Sequence, residues 1–382
     1  MKAESSLRKN FLKTFAHKPT DHIVYSPRIY YWYLRNRLFK KHRVKNHLKT
    51  DIPERFLGKS QIQIYDLLKA APRYTEESLY LPLLATKLDP NAKIEIMHQK
   101  GSKEGETITI YKTPIGMLSQ TTAIGGGLSG HYTEFPIKTI EDLKIMRYIM
   151  EHTDCVFLED NFQKAEDILG NRGVASTYLF SSPYQRLVKT TIGFTRTTIL
   201  LKRNPKEIED FMMFLERWDD KMFELIVKSP LKVVNFGENI DANLSPPPVF
   251  EKYLLPYYQK RVKQLKRVGI FTHIHIDGSF KDLLPYFEDL PFDGLEALTP
   301  HPQGDVSLEE LSRYIGDKIL LDGIPSILFL PHYSYDFVEE YTKKVLDLFS
   351  PNLILGVSDE LSPNGDILKL ERIRDIVNKY EP

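Results

Sequence analysis

Cysteine is nearly absent: Cys155 is the single one among 382 residues. No internal disulfide can form, which fits a reducing, cytoplasmic setting. Cys155 sits in Thr153-Asp154-Cys155-Val156-Phe157, away from any glycine-rich or histidine-bearing strand end. It reads as a packed small hydrophobe and not as a nucleophile. Long uncharged apolar runs are also missing, so no transmembrane helix is expected. Met1 to His17 alternates charged and apolar residues without a continuous apolar core, unlike a signal peptide. The formal net charge is only +1, which gives no global electrostatic case for nucleic acid. The glycine loop Gly125-Gly126-Gly127 with Gly130 lacks a Gly-Lys-Ser/Thr ending, and no strand-then-helix pattern frames a dinucleotide fingerprint. It reads as a plain loop, with a lid or a close backbone–ligand approach as the alternatives.

What is present is ordinary in bulk and informative in pattern. Hydrophobic residues make up 42% and charged residues 27%, the balance of a soluble globular enzyme. Ser5 to Ala16 places Leu7, Phe11, Leu12 and Phe15 on one helical face. Ile23-Val24-Tyr25 reads as a short strand, and the aromatic cluster Tyr30 to Tyr33 as core or as a pocket wall. Lys93 to His98 and Thr107 to Lys112 alternate about a turn and form a hairpin. Thr139 with Asp142 opens a helix as a capping box. Arg35 to Lys49 is locally basic and reads as a solvated face or a docking surface.

From Val174 the chain becomes rhythmic. Strands at 174–178, 231–236, 270–276, 294–298, 318–321 and 353–356 alternate with helices at 205–227, 247–267, 280–287, 308–315, 336–349 and 367–380. That alternation implies parallel βαβ units, and so many short apolar strands argue for a (β/α)8 TIM barrel. With no long linker, residues 1–382 read as one domain carrying an N-terminal helical and hairpin elaboration over about residues 1–135.

In such a barrel, chemistry gathers at the C-terminal strand ends. His273, His275 and Asp277 share one face there because strand side chains alternate. Two imidazoles and a carboxylate suit a metal ion or a proton-transfer site. His273 alone reads rather as a hydrogen-bonded core histidine. The other strand ends bring Glu238, Asn239 and Asp241, then Thr299, His301 and Asp305, then Asp322 and Gly323, then Ser358, Asp359 and Glu360. Imidazole and carboxylates converging on one mouth are the recurring form of a metal or acid–base site.

These residues resemble the uroporphyrinogen decarboxylase superfamily. The likeness is carried by Glu238-Asn239, Leu244-Ser245-Pro246, His275-x-Asp277-Gly278, Asp322-Gly323-Ile324 and Leu355-Gly356 through Pro363. Leu7 to Phe11 with Pro19-Thr20-Asp21, Thr113 to Gly116 and Phe135 to Leu143 extend it over nearly the whole chain. The resemblance implies the same barrel. Near Ser26-Pro27-Arg28-Ile29-Tyr30 the Arg-Gln-Ala-Gly-Arg run of the tetrapyrrole decarboxylases is missing. The layout is closer to the corrinoid-dependent methyltransferases, similar to methylcobalamin:coenzyme M methyltransferase, whose His-x-Cys-Gly and later Cys hold zinc. His275 takes the histidine position, Asp277 the first cysteine position and Asp359 the second.

The resemblance therefore implies zinc or another divalent metal on His275, Asp277 and Asp359, with Glu238 as a fourth ligand or base. Asn239, His273, Asp322 and Ser358 are the supporting residues around the cofactor. The expected activity is methyl transfer between a corrinoid and a small acceptor such as a thiol. No Asp-x-His-x-x-Gly signature is present, so methylcobalamin would arrive on a separate corrinoid protein. A homodimer is compatible with this reading; nucleic acid and membrane are not expected partners. The alternatives are a metal-free decarboxylase or lyase and a non-catalytic ligand-binding barrel.

Overall fold

The computed structural model describes residues 6–37, 52–125 and 129–381. These form two compact units. The larger draws on the chain up to Leu83, on Leu158–Leu179 and on Leu231 onward; the smaller takes Leu84–Phe157 and Phe180–Pro230. The smaller unit thus draws on residues from both sides of position 135, where the sequence placed the end of the elaboration.

Seven parallel strands build the larger unit: β1 (Val24–Tyr25), β2 (Tyr178–Leu179), β3 (Val233–Ile240), β4 (Phe271–Ile276), β5 (Gly294–Glu296), β6 (Ile319–Pro325) and β7 (Leu353–Ser358). Their spatial order is β1-β7-β6-β5-β4-β3-β2. An eighth stave bridges β1 and β2. The Ala71 N–H donates to the Tyr25 carbonyl (2.8 Å) and the Thr75 N–H to the Ser176 carbonyl (3.1 Å). The result is the expected (β/α)8 class. Val174 to Tyr178 was expected to be a strand, yet regular pairing covers only Tyr178–Leu179, because residues 176 and 177 bond to this irregular stave and to β3.

The strands are buried on both faces, as parallel barrel strands must be; Ile319, Leu320, Leu321, Leu353, Ile354 and Leu355 are all fully buried. The N-terminal helix Leu7–Phe15 is capped by Ser6, whose hydroxyl accepts from the Lys9 N–H. Its Phe11 and Phe15 join Val24, Val233, Ile319 and Ile354 in one cluster. Phe15 lies 5.6 Å, ring to ring, from Phe271 at the start of β4. This helix therefore packs at the N-terminal ends of the strands, opposite the C-terminal mouth.

Two helices differ from the expected form. The segment Lys281–Tyr286 is a tight 3-10 turn containing Pro285, which cannot donate a helical N–H. The helix from Pro247 to Lys266 widens into a π turn at Phe250–Leu254, just before Pro256 removes a donor.

In the smaller unit the expected hairpin is part of a four-stranded antiparallel sheet, Glu95–Lys100, Glu106–Thr113, Gly116–Gly125 and Ser129–Glu134. The helix expected at Thr139 starts at Asp142, whose carboxylate reaches back to the Lys138 and Thr139 N–H groups. The helix Pro205–Lys228 buries Trp218, whose indole donates to the Met150 carbonyl (2.8 Å). Cys155 is buried, and burial pushes its thiol up to about 12, as a packed residue requires. Residues 38–49 of the basic run, and Gly126 and Gly127 of the glycine loop, lie outside the described residues.

Phe15 is 1% exposed, so Phe15→Ala should leave a cavity under the barrel. The expected loss is about 3–5 kcal/mol in urea unfolding, with the far-ultraviolet spectrum of the native state unchanged.

Candidate functional site

The site is organised around a buried acid that the sequence analysis did not single out. Glu296 ends β5 and is fully buried. Its Oε1 accepts from Arg73 Nη1 (2.8 Å) and from the Tyr74 hydroxyl. Its Oε2 accepts from the Asn235 amide (2.5 Å) and lies 3.1 Å from His275 Nδ1. Burial opposes ionisation, but Arg28 and the bond from His275 more than offset it, so the carboxyl titrates well below its ordinary range.

Strand alternation on β4 sends His273 and His275 into the barrel. His273 lies deeper: Nδ1 is 2.9 Å from the Asn235 amide, and the ring stacks on Tyr74 at 6.0 Å. Burial pushes it down to about 3, with Glu296 pulling the other way. It is a neutral core histidine, the plainer of its two readings. His275 lies nearer the mouth. Burial opposes its charge, and the bond to Glu296 outweighs this, raising it above the ordinary value. Its Nε2 is buried and has no hydrogen-bond partner. The nearest carboxylate oxygens are Asp359 Oδ1 at 3.6 Å and Asp277 Oδ2 at 3.9 Å.

The structure thus brings together three of the four expected ligands. Glu238 stands apart and corrects the expectation of a fourth: its Oε2 accepts from the Tyr258 hydroxyl at 3.0 Å. The reason is the period of two. Asn235 faces the barrel interior, so Phe236 and Glu238 face the surrounding helices, where Phe236 meets the Tyr258 ring edge-on at 6.2 Å. Among the described residues, no group of three His, Cys, Asp or Glu side chains is drawn together tightly enough to hold an ion as it stands.

The supporting residues divide similarly. Asn239 reaches Asp277 with its amide (3.3 Å) at the mouth. Asp322 lies deeper, paired with Arg73 Nη2 at 2.9 Å; burial pushes it up to about 6 against that pull. Ser358 donates to the Leu298 carbonyl (2.7 Å) and holds two strand ends together. Asn239, Asp322 and Asp359 have φ of 53°, 89° and 63°, and Tyr74 and Ala297 join them at 55° and 64°. Non-glycine residues in the left-handed region are costly, so the surrounding structure must hold these five in place.

Arg28 was visible in the sequence only as a neighbour of a missing motif. Its guanidinium donates to Glu77 (3.0 Å) and to the Tyr178 hydroxyl (2.7 Å) and lies 3.3 Å from Glu360. Its Nη1 is 3.7 Å from Asp359 and makes no hydrogen bond. Burial raises Glu360 well above its ordinary range, with Arg28 opposing. The signal that could have revealed Glu296 is a lone acid inside the otherwise apolar Gly294 to Leu298.

Comparison with known proteins agrees with this architecture. The model of the uroporphyrinogen decarboxylase (URO-D) family matches residues 182–380, more than half of the chain. The chain belongs to the URO-D family. A methyltransferase from Methanosarcina mazei shares the fold with a TM-score of 0.62 at 13% identity, over 98% of this chain and 99% of that one. A B12-independent methionine synthase from a Shewanella species, in complex with selenomethionine, gives a TM-score of 0.41 at 12% identity, over 94% and 98%. At 13% identity the likeness to the Methanosarcina protein concerns fold alone. No curated protein matches the chain significantly. The URO-D barrel of this chain is an enzyme-family fold, and among its described residues no helix is long and apolar enough to cross a membrane.

Beside this network, Glu76 accepts from the Tyr178 N–H (2.9 Å) and the Thr177 hydroxyl (3.1 Å), and burial pushes it up to about 7. A raised carboxyl contributes stability below its unfolded value, and that contribution is lost as pH rises towards 7. Glu76→Gln should therefore be more stable than wild type at pH 8, by up to about 3 kcal/mol, and equal to it near pH 4. Urea unfolding at the two pH values measures the difference.

Proposed function

We propose that this URO-D family member is a metal-dependent methyltransferase, moving a methyl group between a corrinoid protein and a small acceptor such as a thiol. One observation carries the reading. The buried, unpartnered Nε2 of His275 faces two carboxylates, while its Nδ1 is fixed by a buried third. A carboxylate behind an imidazole is the recurring support of a metal-ligating histidine. Asp277 and Asp359 are partly exposed, with side chains 29% and 46% accessible, and their carboxylates lie 3.9 and 3.6 Å from Nε2 of His275. The donor set therefore fits a divalent cation, and its oxygens suit a harder ion than two thiolates would.

When bound, the ion supplies Lewis acidity that lowers the pKa of a thiol or water. The chain's own residues do the rest. Glu296 selects the His275 tautomer with its proton on Nδ1 and leaves Nε2 as the donor lone pair. Arg73, Tyr74 and Asn235 hold Glu296 in place. Asn239 steadies Asp277. The bond to Glu296 raises His275 above its ordinary value, so metal and proton would compete for Nε2. The barrel mouth then receives the corrinoid, carried on a separate protein.

The test is elemental analysis of purified, untagged protein after reconstitution. About one divalent ion per chain is expected, with at least a tenfold loss of affinity in both His275→Ala and Asp359→Ala. A folded wild type that retains no metal would overturn the proposal and favour metal-free acid–base chemistry by the same residues.

A further inference from the structure

The mouth of the barrel holds a cavity of about 540 Å3, and its lining includes Asp241, Asp277, Asp305 and Asp359 but no lysine, arginine or histidine. Asp277 and Asp359 belong to the metal reading. Asp241 and Asp305 do not. Asp241 accepts from the Asn243 N–H (2.7 Å) and amide (2.9 Å) and from the Ser279 N–H (3.2 Å). Asp305 accepts from the Phe280 N–H (3.1 Å) and the Lys281 N–H (3.3 Å). These donors are neutral: they fix both carboxylates in place without cancelling their charge. The local fold also makes room for them. Gly278 has φ +65°, and a Cβ there would fall 2.0 Å from Asp241 Oδ2.

The acidic lining does not stand alone as a sign of a ligand. His275, only 4% exposed, turns its unpartnered Nε2 towards the two lining carboxylates Asp359 and Asp277. A divalent ion there would neutralise that pair and leave Asp241 and Asp305 uncompensated beside it. An anionic co-substrate would meet two fixed like charges in a partly desolvated cleft, where such charges act more strongly than in water. A cationic one would meet two complementary charges.

We propose that the small co-substrate of this site carries a positive charge, as an alkylammonium group, and that a thiol acceptor here is an aminothiol. The thiol half of this statement rests on the metal-dependent reading above; the charge half does not.

Two titrations of the full-length protein separate them. In the first, cobalt(II)-loaded protein is titrated with 2-aminoethanethiol, 2-mercaptoethanol and 2-mercaptoethanesulfonate, read by the thiolate-to-cobalt absorption band. The aminothiol should bind about tenfold more tightly than the sulfonate, with the neutral thiol between them. Asp305→Asn and Asp241→Asn should each narrow that spread several-fold. Equal affinities, or tightest binding of the sulfonate, would overturn the proposal. In the second, metal-free protein is titrated with ethylammonium and ethanesulfonate, read by ligand line broadening. Cation binding that weakens in Asp305→Asn supports the charge preference even if no cobalt binds, in which case only the metal reading and its aminothiol form fall. Preference for the sulfonate, or no binding of either probe, overturns the charge preference.

Discussion

A fully buried carboxylate, Glu296, sets the terms for the rest of the barrel mouth. A carboxylate taken out of water is tolerated only when its oxygens are met by donors and its charge by cations. Glu296 meets both conditions through residues from four separate segments: Arg73 and Tyr74 from the irregular stave, Asn235 from β3, His275 from β4 and, at longer range, Arg28. Arg73 also holds Asp322 on β6 and the Ser26 carbonyl. One ionic knot thus ties together the staves on both sides of the barrel. It also explains why the eighth stave needs little regular strand pairing: side-chain bonds do what a hydrogen-bond ladder does elsewhere.

The same knot fixes the His275 ring. Because Glu296 occupies Nδ1 of His275, the remaining nitrogen is presented outward, to a region lined by carboxylates. His273, two residues earlier and on the same face, also has a buried Nε2 without a hydrogen-bond partner, but its ring lies deeper, packed against Phe15 and Tyr74. Two histidines of equal standing in the sequence thus have different surroundings, and burial lowers one while the bond to Glu296 raises the other.

Much of the fold was legible beforehand. Apolar strand segments alternating with amphipathic helices after residue 174 are a local pattern, and the barrel class follows from its repetition. The strand ends were legible for the same reason, and the resemblance to the corrinoid-dependent methyltransferases, not the local pattern, singled out His275, Asp277 and Asp359 among their residues. Glu238 was misplaced because the apolar run Leu231 to Phe236 does not reveal which face of a strand buried on both sides points inward. Arg28, Arg73 and Glu296 escaped notice because each is a single charged residue far from the others in sequence; nothing local links position 73 to position 296.

By itself the sequence determined the element types, their parallel order, the absence of an internal disulfide, and which strand ends carry acids and imidazoles. These depend on side-chain periodicity and composition, which are properties of neighbouring residues. Only the tertiary structure decided which of those groups are buried, which are paired, and which buried imidazole nitrogen faces carboxylates. Desolvation and ion pairing depend on distances between segments hundreds of residues apart, and no local pattern encodes them.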